Sequence, residues 1–491
     1  MARGPSLRRW LSLSALAAAI GCDRGGTPAA KPLATPFSGA SISAGAVGDP
    51  RLLDLIAPQR GEWQAGRGAE LSLKAGETKP ADARSLDVIL FPAESVGDLV
   101  DAEALAGLSE STIRTPSAAA LPDEKLDFDG IAACLRDEVA KYGDERVGLP
   151  IGASSLVLVY RREALIGVPP PTTWEQLDAL AKSLNGRDLD GDGTPEAGIS
   201  LALGVDGEGV GDAIFLCRAA CLGLRPDRYS FLFDAETMEP RVASAPFVEA
   251  LRRLVALEEF GPAGMPRADA EAARSAFREG RSALLIDRAE RASRWTDPKR
   301  PRAVLVAPLP GSSRVFDPDK GEYENASTPN RVNVLPGGGG WLAGVSASAT
   351  GARREAALDL VKYLCVPETS QRLLADRSLA MSPTRAEQMG RGPRLAAGVD
   401  PRSWGDALRR SLAGPRVVAG LRMPGAAGYM ADLGKARAAA AGGTDAEAAL
   451  KGVAAAWSRR VDAYGRRRAL WHYRRGLVAP PTSPTPPPRG T

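Results

Sequence analysis

The fold class is indicated by residues 156–184, which read LVLVYRREALIGVPPPTTWEQLDALAKSL. Five apolar residues in a row, Leu156 to Tyr160, predict a buried β-strand. After a proline-rich turn, Thr173 and Gln176 have the spacing of a capping box, which predicts the first turn of a helix. A strand followed by a helix is the repeating unit of α/β proteins.

Other parts of the chain show the same alternation. Residues 86–91 and 304–306 are short apolar runs that end at or near a proline and predict two more buried strands. Thr444 and Glu447 form a second possible capping box, followed by apolar residues at helical spacing up to Tyr464. We therefore predict an α/β fold.

Composition excludes several classes of protein. The chain has 491 residues, 44% of them apolar and 25% charged, which is typical of a globular protein with more than one domain. It contains one histidine, His472, which argues against histidine-based charge relays and common zinc sites. The sequence has no GxSxG, GxxxxGK[ST] or HExxH motif, so it shows none of the catalytic motifs expected for acyl transfer or nucleotide hydrolysis.

The first 22 residues predict export and lipid anchoring. Basic residues precede position 10, and residues 10–20 form an apolar segment too short to cross a bilayer. The following Cys22 resembles the end of a bacterial lipobox, in which the cysteine becomes the acylated first residue. We predict a signal peptide over residues 1–21 and a lipoprotein attached to a membrane on the periplasmic or cell-surface side. An ordinary signal peptide with an incidental cysteine is the alternative.

The net charge of the chain gives no indication of a nucleic-acid partner. The formal net charge is +4, and it falls by three to +1 without the arginines of the signal peptide.

Residues 22–36 predict a flexible tether, and residues 476–491 predict a disordered, proline-rich tail. Five arginines between positions 466 and 475 are interpreted as a solvated helix face, with contact to anionic lipid as the alternative.

Several segments, in order along residues 52–464, resemble the motifs of one family. They are DVILFP at 87–92, GLPIG at 148–152, TWEQL at 173–177, FREGRSALLI at 277–286, PLPG at 308–311 and GGGW at 338–341. Together they resemble the extracellular solute-binding proteins of ABC importers, of the carbohydrate type that includes maltose-binding protein.

This resemblance implies two lobes with a hinge and a ligand cleft between them. We expect one lobe from residues 37–150 and 302–366, and the other from residues 151–301 and 367–475. The implied function is a non-enzymatic, monomeric receptor that captures a carbohydrate for ABC permease subunits. A glycosidase, which needs only two carboxylates, and a structural or interaction lipoprotein remain as alternatives.

Candidate ligand contacts follow glycine runs or strand ends. Trp341 follows four glycines and offers a flat apolar face to a sugar, while a glycine such as Gly340 lets the backbone approach a ligand. Tyr429 resembles the position of a stacking aromatic in the family. The remaining candidates are Trp63, Ser154, Ser155, Glu94, Asp287 and Arg288. Trp341 and Trp63 have a core position as their alternative, Tyr429 has a position on the lobe surface, and each polar residue has a surface or capping role.

One acidic loop resembles the start of a calcium-binding loop. Asp188, Asp190 and Asp192 occupy positions one, three and five, and a glycine occupies position six. Position twelve, where an EF-hand has glutamate, is Ile199, and Glu196 at position nine could substitute in part. Calcium is therefore the one candidate cofactor, and a solvated acidic turn is the alternative.

Overall fold

Two β-sheets flanked by helices form the body of the protein, in a computed structural model that describes residues 35–117, 120, 124–225, 230–376, 379–390, 395–414 and 416–477. The predicted signal peptide, Cys22, most of the tether and the tail from residue 478 onward lie outside the described residues. Among the described residues, no helix combines the length and the apolar character needed to cross a membrane.

The strands of the described residues are β1 (Ser41–Ala46), β2 (Glu70–Glu77), β3 (Val88–Pro92), β4 (Lys141–Tyr142), β5 (Glu145–Arg146), β6 (Leu149–Ala153), β7 (Leu156–Arg161), β8 (Ala197–Ser200), β9 (Ser282–Arg288), β10 (Val304–Pro308), β11 (Ser312–Asp317), β12 (Glu322–Asn330), β13 (Asn333–Val334), β14 (Gly340–Val345) and β15 (Val417–Val418).

The α-helices of the described residues are α1 (Arg51–Ile56), α2 (Arg60–Arg67), α3 (Val96–Asp101), α4 (Glu110–Arg114), α5 (Trp174–Leu184), α6 (Val210–Gly223), α7 (Ala245–Ala256), α8 (Ala270–Arg278), α9 (Gly351–Cys365), α10 (Pro367–Ala375), α11 (Pro401–Leu412), α12 (Ala426–Ala441), α13 (Ala446–Tyr464) and α14 (Arg466–Gly476).

Both sheets are mixed. The first has the strand order β2-β1-β3-β14-β6, and the second has the order β10-β7-β9-β8. In the first sheet β1 runs parallel to β2 and β3, whereas β14 runs antiparallel to β3 and β6. In the second sheet β7 is antiparallel to β10 and β9, and β8 is parallel to β9. Three of these strands, β3, β7 and β10, confirm the buried strands predicted from sequence, and the α/β fold class is confirmed.

The two sheets are joined by a very short connection. Strand β6 ends at Ala153 in the first sheet and β7 begins at Leu156 in the second, so only Ser154 and Ser155 lie between them. A crossing near Pro150 was expected from the sequence. Because both flanking strands are fully buried, the two serines are held firmly at the junction.

Two segments lie beside a different sheet from the one expected. Residues 302–366 were expected in the first lobe, but β10 pairs with β7 in the second sheet, and the chain returns to the first sheet only at β14. Helix α10 was expected in the second lobe, but it packs on α9 and β6 of the first sheet. An apolar run predicts a strand without saying which sheet it joins, because that depends on distant partners.

One of the two predicted capping boxes is present in the structure, and the other is replaced by a different cap. The Thr173 hydroxyl accepts a hydrogen bond from the Gln176 amide at 3.2 Å, and the Gln176 side chain accepts one from the Thr173 amide, so α5 has the predicted capping box. Helix α13 is instead capped by Asp445, whose carboxylate accepts from the Ala448 amide at 2.9 Å. Aspartate is a better N-cap than threonine, so Asp445 caps the helix in place of its neighbour Thr444.

Candidate functional site

A cavity of about 750 Å³ lies between the ends of the two sheets. On the first-sheet side, its wall contains Glu94, which follows β3, and Gly340 and Trp341 at the start of β14. On the second-sheet side, it contains Ser154 before β7 and Arg288 at the end of β9. Parts of α6 and α12 complete the wall. Five of the nine sequence-predicted ligand contacts therefore surround one cavity, and contact with a ligand remains a prediction for each.

The glycine run before Trp341 is needed for close packing at this wall. Gly338 has a φ of 75°, and a Cβ added there would lie 2.6 Å from the Glu94 amide nitrogen. Gly340 has a φ of 136°, and a Cβ there would lie 2.2 Å from the Gly152 carbonyl oxygen. Any other residue would be strained at both positions and would push β14 away from its neighbours. The run therefore fixes where Trp341 meets the cavity.

Trp341 is the one aromatic side chain that lines this cavity in the described part of the chain. It lies in β14 between Pro92 of β3 and Gly152 of β6 and is 7% exposed. Most of the indole is therefore packed, and only a small part can touch a ligand. That part offers the apolar contact that suits the C–H face of a sugar.

Glu94 supplies free hydrogen-bonding capacity to the cavity, and the charged side chain of Arg288 lies in the same wall. Glu94 is exposed to the cavity, and within the described residues no protein group binds its carboxylate. Solvent reaches the side chain, but the surrounding walls displace much of the water, which raises the pKa of Glu94, and the charge of Arg288 opposes that shift. Arg288 donates to the Glu208 carbonyl and its Nη1 lies 3.9 Å from Glu290 Oε1, while its Nε is buried and has no partner among the described residues.

Ser154 forms part of a buried network at the junction of the sheets. Its hydroxyl donates to Glu290 Oε1 at 2.5 Å, and the Ser382 hydroxyl lies 3.4 Å from Glu290 Oε2. Burial raises the pKa of Glu290, and Arg288 and Ser154 oppose this. Ser154 therefore contributes to the cavity wall, but its hydroxyl proton is already donated to Glu290.

Ser155 and Asp287 were predicted as ligand contacts, but neither lines the cavity. The Ser155 hydroxyl is buried and accepts a hydrogen bond from Asn333 Nδ2 at 3.1 Å. Asp287 is 1% exposed, and Arg274 Nε and Trp295 Nε1 each donate to its Oδ2 at 2.8 Å. Successive side chains of a strand point to opposite faces, so Arg288 faces the cavity while its neighbour faces the core.

Trp63 and Tyr429 were also predicted as ligand contacts, and both are core residues. Trp63 is fully buried and donates to Asp359 Oδ2 at 2.7 Å. The Tyr429 ring packs edge-on against Trp457 and Phe233, with centroids 5.5 and 5.8 Å apart. Helix α12 presents other residues, including Met430, to the cavity.

The loop before α6 and an ion pair near α1 also line the cavity, and neither was predicted from the sequence. Asp206 accepts hydrogen bonds from two amides in the first turn of α6, and Glu208 binds Arg291 at 2.9 Å. Arg51 makes two bonds of 2.8 Å to Asp49. The available signal was the alternation of glycine and acid in Gly204-Val-Asp-Gly-Glu-Gly209, which precedes a helix.

Positive and negative side chains are balanced around the cavity. Among the described residues that line it, the bases are Arg51, Arg288, Arg291, Arg294 and Lys435, and the acids are Asp49, Glu94, Asp206, Glu208 and Asp212. Such a wall has no net preference for an anion or a cation. Many fixed donors and acceptors with one aromatic face suit a neutral ligand rich in hydroxyl groups.

The acidic loop lies apart from this cavity. Asp188, Asp190 and Asp192 are exposed, and one carboxylate oxygen of each lies within 4.8 Å of the others. Asp190 also forms an ion pair with Arg302. Glu196 is buried and accepts from the Leu189 amide at 2.8 Å, so it holds the loop together. Calcium binding at this loop remains a prediction.

Calcium should raise the melting temperature of the protein and EDTA should lower it, if the three aspartates chelate an ion. At a calcium concentration of about 100 Kd, the expected stabilisation is ~2.7 kcal/mol. Asp190→Ala should remove the difference, whereas Asp54→Ala, at an exposed position on α1, should keep it. A parent protein that melts identically with calcium and with EDTA would end the calcium hypothesis.

A family model described as bacterial extracellular solute-binding protein matches residues 67–389, which is more than half of the chain. No curated protein is significantly similar in sequence.

Solved structures of ABC-transporter binding proteins are similar in fold. An ABC transporter solute-binding protein from Agrobacterium radiobacter K84, in complex with ribitol, has 19% identity and a TM-score of 0.61, over 87% of this chain and 100% of that chain. T. maritima MalE3 with maltose has 19% identity and a TM-score of 0.55, over 86% and 100%. The sugar-binding protein MalE from Xanthomonas citri has 15% identity and a TM-score of 0.61, over 87% and 99%. At these identities the likeness establishes the two-domain fold.

Proposed function

Because the chain belongs to the bacterial extracellular solute-binding proteins, we propose that it captures a carbohydrate, sugar alcohols included, and delivers it to an ABC permease. The cavity between the two sheets is the binding site in this proposal. Glu94, Arg288 and Trp341 would contact the ligand. The observation that carries the proposal is that these three side chains, 247 positions apart at the extremes, face one cavity at the sheet ends.

The chemistry of the three side chains supports a polyhydroxylated ligand. The Glu94 carboxylate accepts hydrogen bonds from hydroxyl groups, and the Arg288 guanidinium donates to hydroxyl oxygens. Trp341 provides an apolar surface beside them. The balanced charge of the wall favours a neutral ligand over a phosphate or an amine. Ribitol and maltose, the ligands of two similar structures, belong to this class.

A thermal-shift screen tests this function. The mature protein should be stabilised by at least one member of a panel of sugars, oligosaccharides and sugar alcohols, and amino acids should give no shift. Chromatography of the bound solute after hours of incubation should return it unchanged, as a binding protein requires. Release of hydrolysis products would favour the glycosidase alternative, and a panel without any shift would contradict the proposal.

We also propose that Cys22 carries a lipid anchor that holds the protein on the outer side of a membrane. The family is exported, which supports a signal peptide, and the lipobox-like ending at Cys22 supports acylation. Cys22→Ser should abolish metabolic labelling with fatty acid and release the protein into the soluble export fraction. The matched variant Cys134→Ser should leave labelling unchanged, and a labelled Cys22→Ser protein would refute the anchor.

A further inference from the structure

The last helix, α14, contacts both parts of the molecule. We call the part with the first sheet, α3 and the β4–β5 hairpin the first half, and the part with the second sheet, α12 and α13 the second half. Consecutive residues of α14 face opposite halves. His472 Nδ1 lies 3.0 Å from the hydroxyl of Tyr142 in the β4–β5 hairpin, whereas the Tyr473 hydroxyl lies 2.8 Å from that of Ser230, beside Phe233 in the second half.

Asp101, the last residue of α3, is the centre of a second contact. Its Oδ1 accepts from the Tyr464 hydroxyl at 2.5 Å and from Arg468 Nε at 2.9 Å, and it lies 3.1 Å from His472 Nε2. Burial alone would raise the pKa of Asp101, but the bonds from Tyr464 and Arg468 outweigh it and lower the pKa. Burial lowers the pKa of His472 to about 4, so its ring is neutral at pH 7.

The C-terminal end of α14 is fixed to the first half as well. The buried guanidinium of Arg422 donates to the Gly476 carbonyl at 3.0 Å and, on its other side, to the carbonyls of Val139 at 2.9 Å and Lys141 at 3.0 Å. The Gly143 amide donates to the Arg475 carbonyl at 2.7 Å. One face of the helix is therefore bound to the first half, through Arg468, His472 and the C-terminal end. The other face is bound to the second half, through Arg466, Tyr473 and Arg474.

We propose that α14 is a strap that couples the two halves and limits their hinge motion through the network of Asp101, Tyr464, Arg468 and His472. None of these four residues lines the solute cavity, so the strap acts on the arrangement of the halves and not on the ligand. Contacts made in one arrangement and lost in another bias the equilibrium between them by their own free energy. The strap therefore sets how often the arrangement described here is populated.

Spin-label distances across the two halves test the strap without any solute. In the Cys22→Ser protein, labels at Lys74→Cys and Lys182→Cys would report on the first and second half, because both positions are exposed and the described native cysteines are buried. Asp101→Ala should increase the population outside the main distance peak of the parent about tenfold, which corresponds to ~1.4 kcal/mol. Circular dichroism should show the same helix content as the parent.

Two further variants make the result decisive. Tyr464→Phe removes one hydroxyl with little change in packing and should broaden the same distribution, by less than Asp101→Ala. Asp462→Asn removes an exposed ion pair to Arg466, between adjoining helices and outside the four-residue network, and should match the parent. If both Asp101→Ala and Tyr464→Phe gave distance distributions identical to that of the parent, the proposal that α14 limits the motion of the two halves would be overturned.

Discussion

Replacing Glu94 by alanine should lower the affinity for the captured solute about tenfold to a hundredfold and should leave the fold intact. A hydrogen bond to a charged group contributes ~1.5–3 kcal/mol, and each 1.4 kcal/mol is a factor of about ten in Kd. Glu94 has no protein partner among the described residues, so its removal breaks no contact that stabilises the folded state. Isothermal titration with the solute identified by the thermal-shift screen measures the effect.

The Glu94→Ala protein should be at least as stable as the parent. Because the folded-state pKa of Glu94 is raised, its ionised form at pH 7 is disfavoured by folding, and the free energy of unfolding should not fall when the carboxylate is removed. Glu77→Ala, at an exposed position on β2, is the matched control and should change neither affinity nor stability. Unchanged affinity in a folded Glu94→Ala protein would exclude Glu94 from the binding site.

Asp287→Ala should produce the largest loss of stability, about 1.5–3 kcal/mol in the free energy of unfolding. The change removes the carboxylate that binds both Nε and Nη2 of the fully buried Arg274, whose guanidinium keeps Glu271 and Glu208 as its remaining acid partners. It also removes the acceptor of Trp295 Nε1. Chemical denaturation followed by circular dichroism measures this loss.

A surface pair provides the control for this second prediction. Asp406 and Arg409 form an ion pair on the exposed side of α11, and Asp406→Ala should cost at most about 1 kcal/mol. If Asp287→Ala cost no more than Asp406→Ala, the buried role assigned to Asp287 would be wrong, and its original assignment as a ligand contact would be open again.

Sequence patterns predicted those features that depend on neighbouring residues. The strand of Leu156–Tyr160 and the capping box at Thr173 are local, because an apolar run and a three-residue spacing contain all the information needed. The same logic placed Glu94 and Arg288 at strand ends, and both line the cavity. Strand ends meet at the edge of a sheet, where binding sites form in α/β proteins.

Features that depend on distant partners could not be read from the sequence. Trp63 lies in the core, where its indole nitrogen donates to Asp359, a residue 296 positions away. No pattern in the sequence around Trp63 predicts that contact. Strand β10 pairs with β7 for a similar reason, since the choice of sheet follows from long-range packing. The faces of Asp287 and Arg288 follow from the register of β9, and a shift of one residue would exchange them.

The arginines of α14 illustrate the same limit. They were interpreted as a solvated face, but Arg468 binds Asp101, and Arg466 binds Glu239 and the Thr237 carbonyl. Arg474 donates to the Ala235 carbonyl, and Arg475 to that of Tyr142. Four of the five arginines thus attach the helix to the two halves of the protein, and Arg467 is exposed, as the solvated-face interpretation predicts.

The most direct test of the central claim is a crystal structure of the mature protein with the solute that gives the largest thermal shift. We expect the solute in the cavity between the two sheets, with hydroxyl groups bound to Glu94 and Arg288 and one apolar face against Trp341. Density for the solute outside this cavity, or a solute that touches none of these three side chains, would contradict the account.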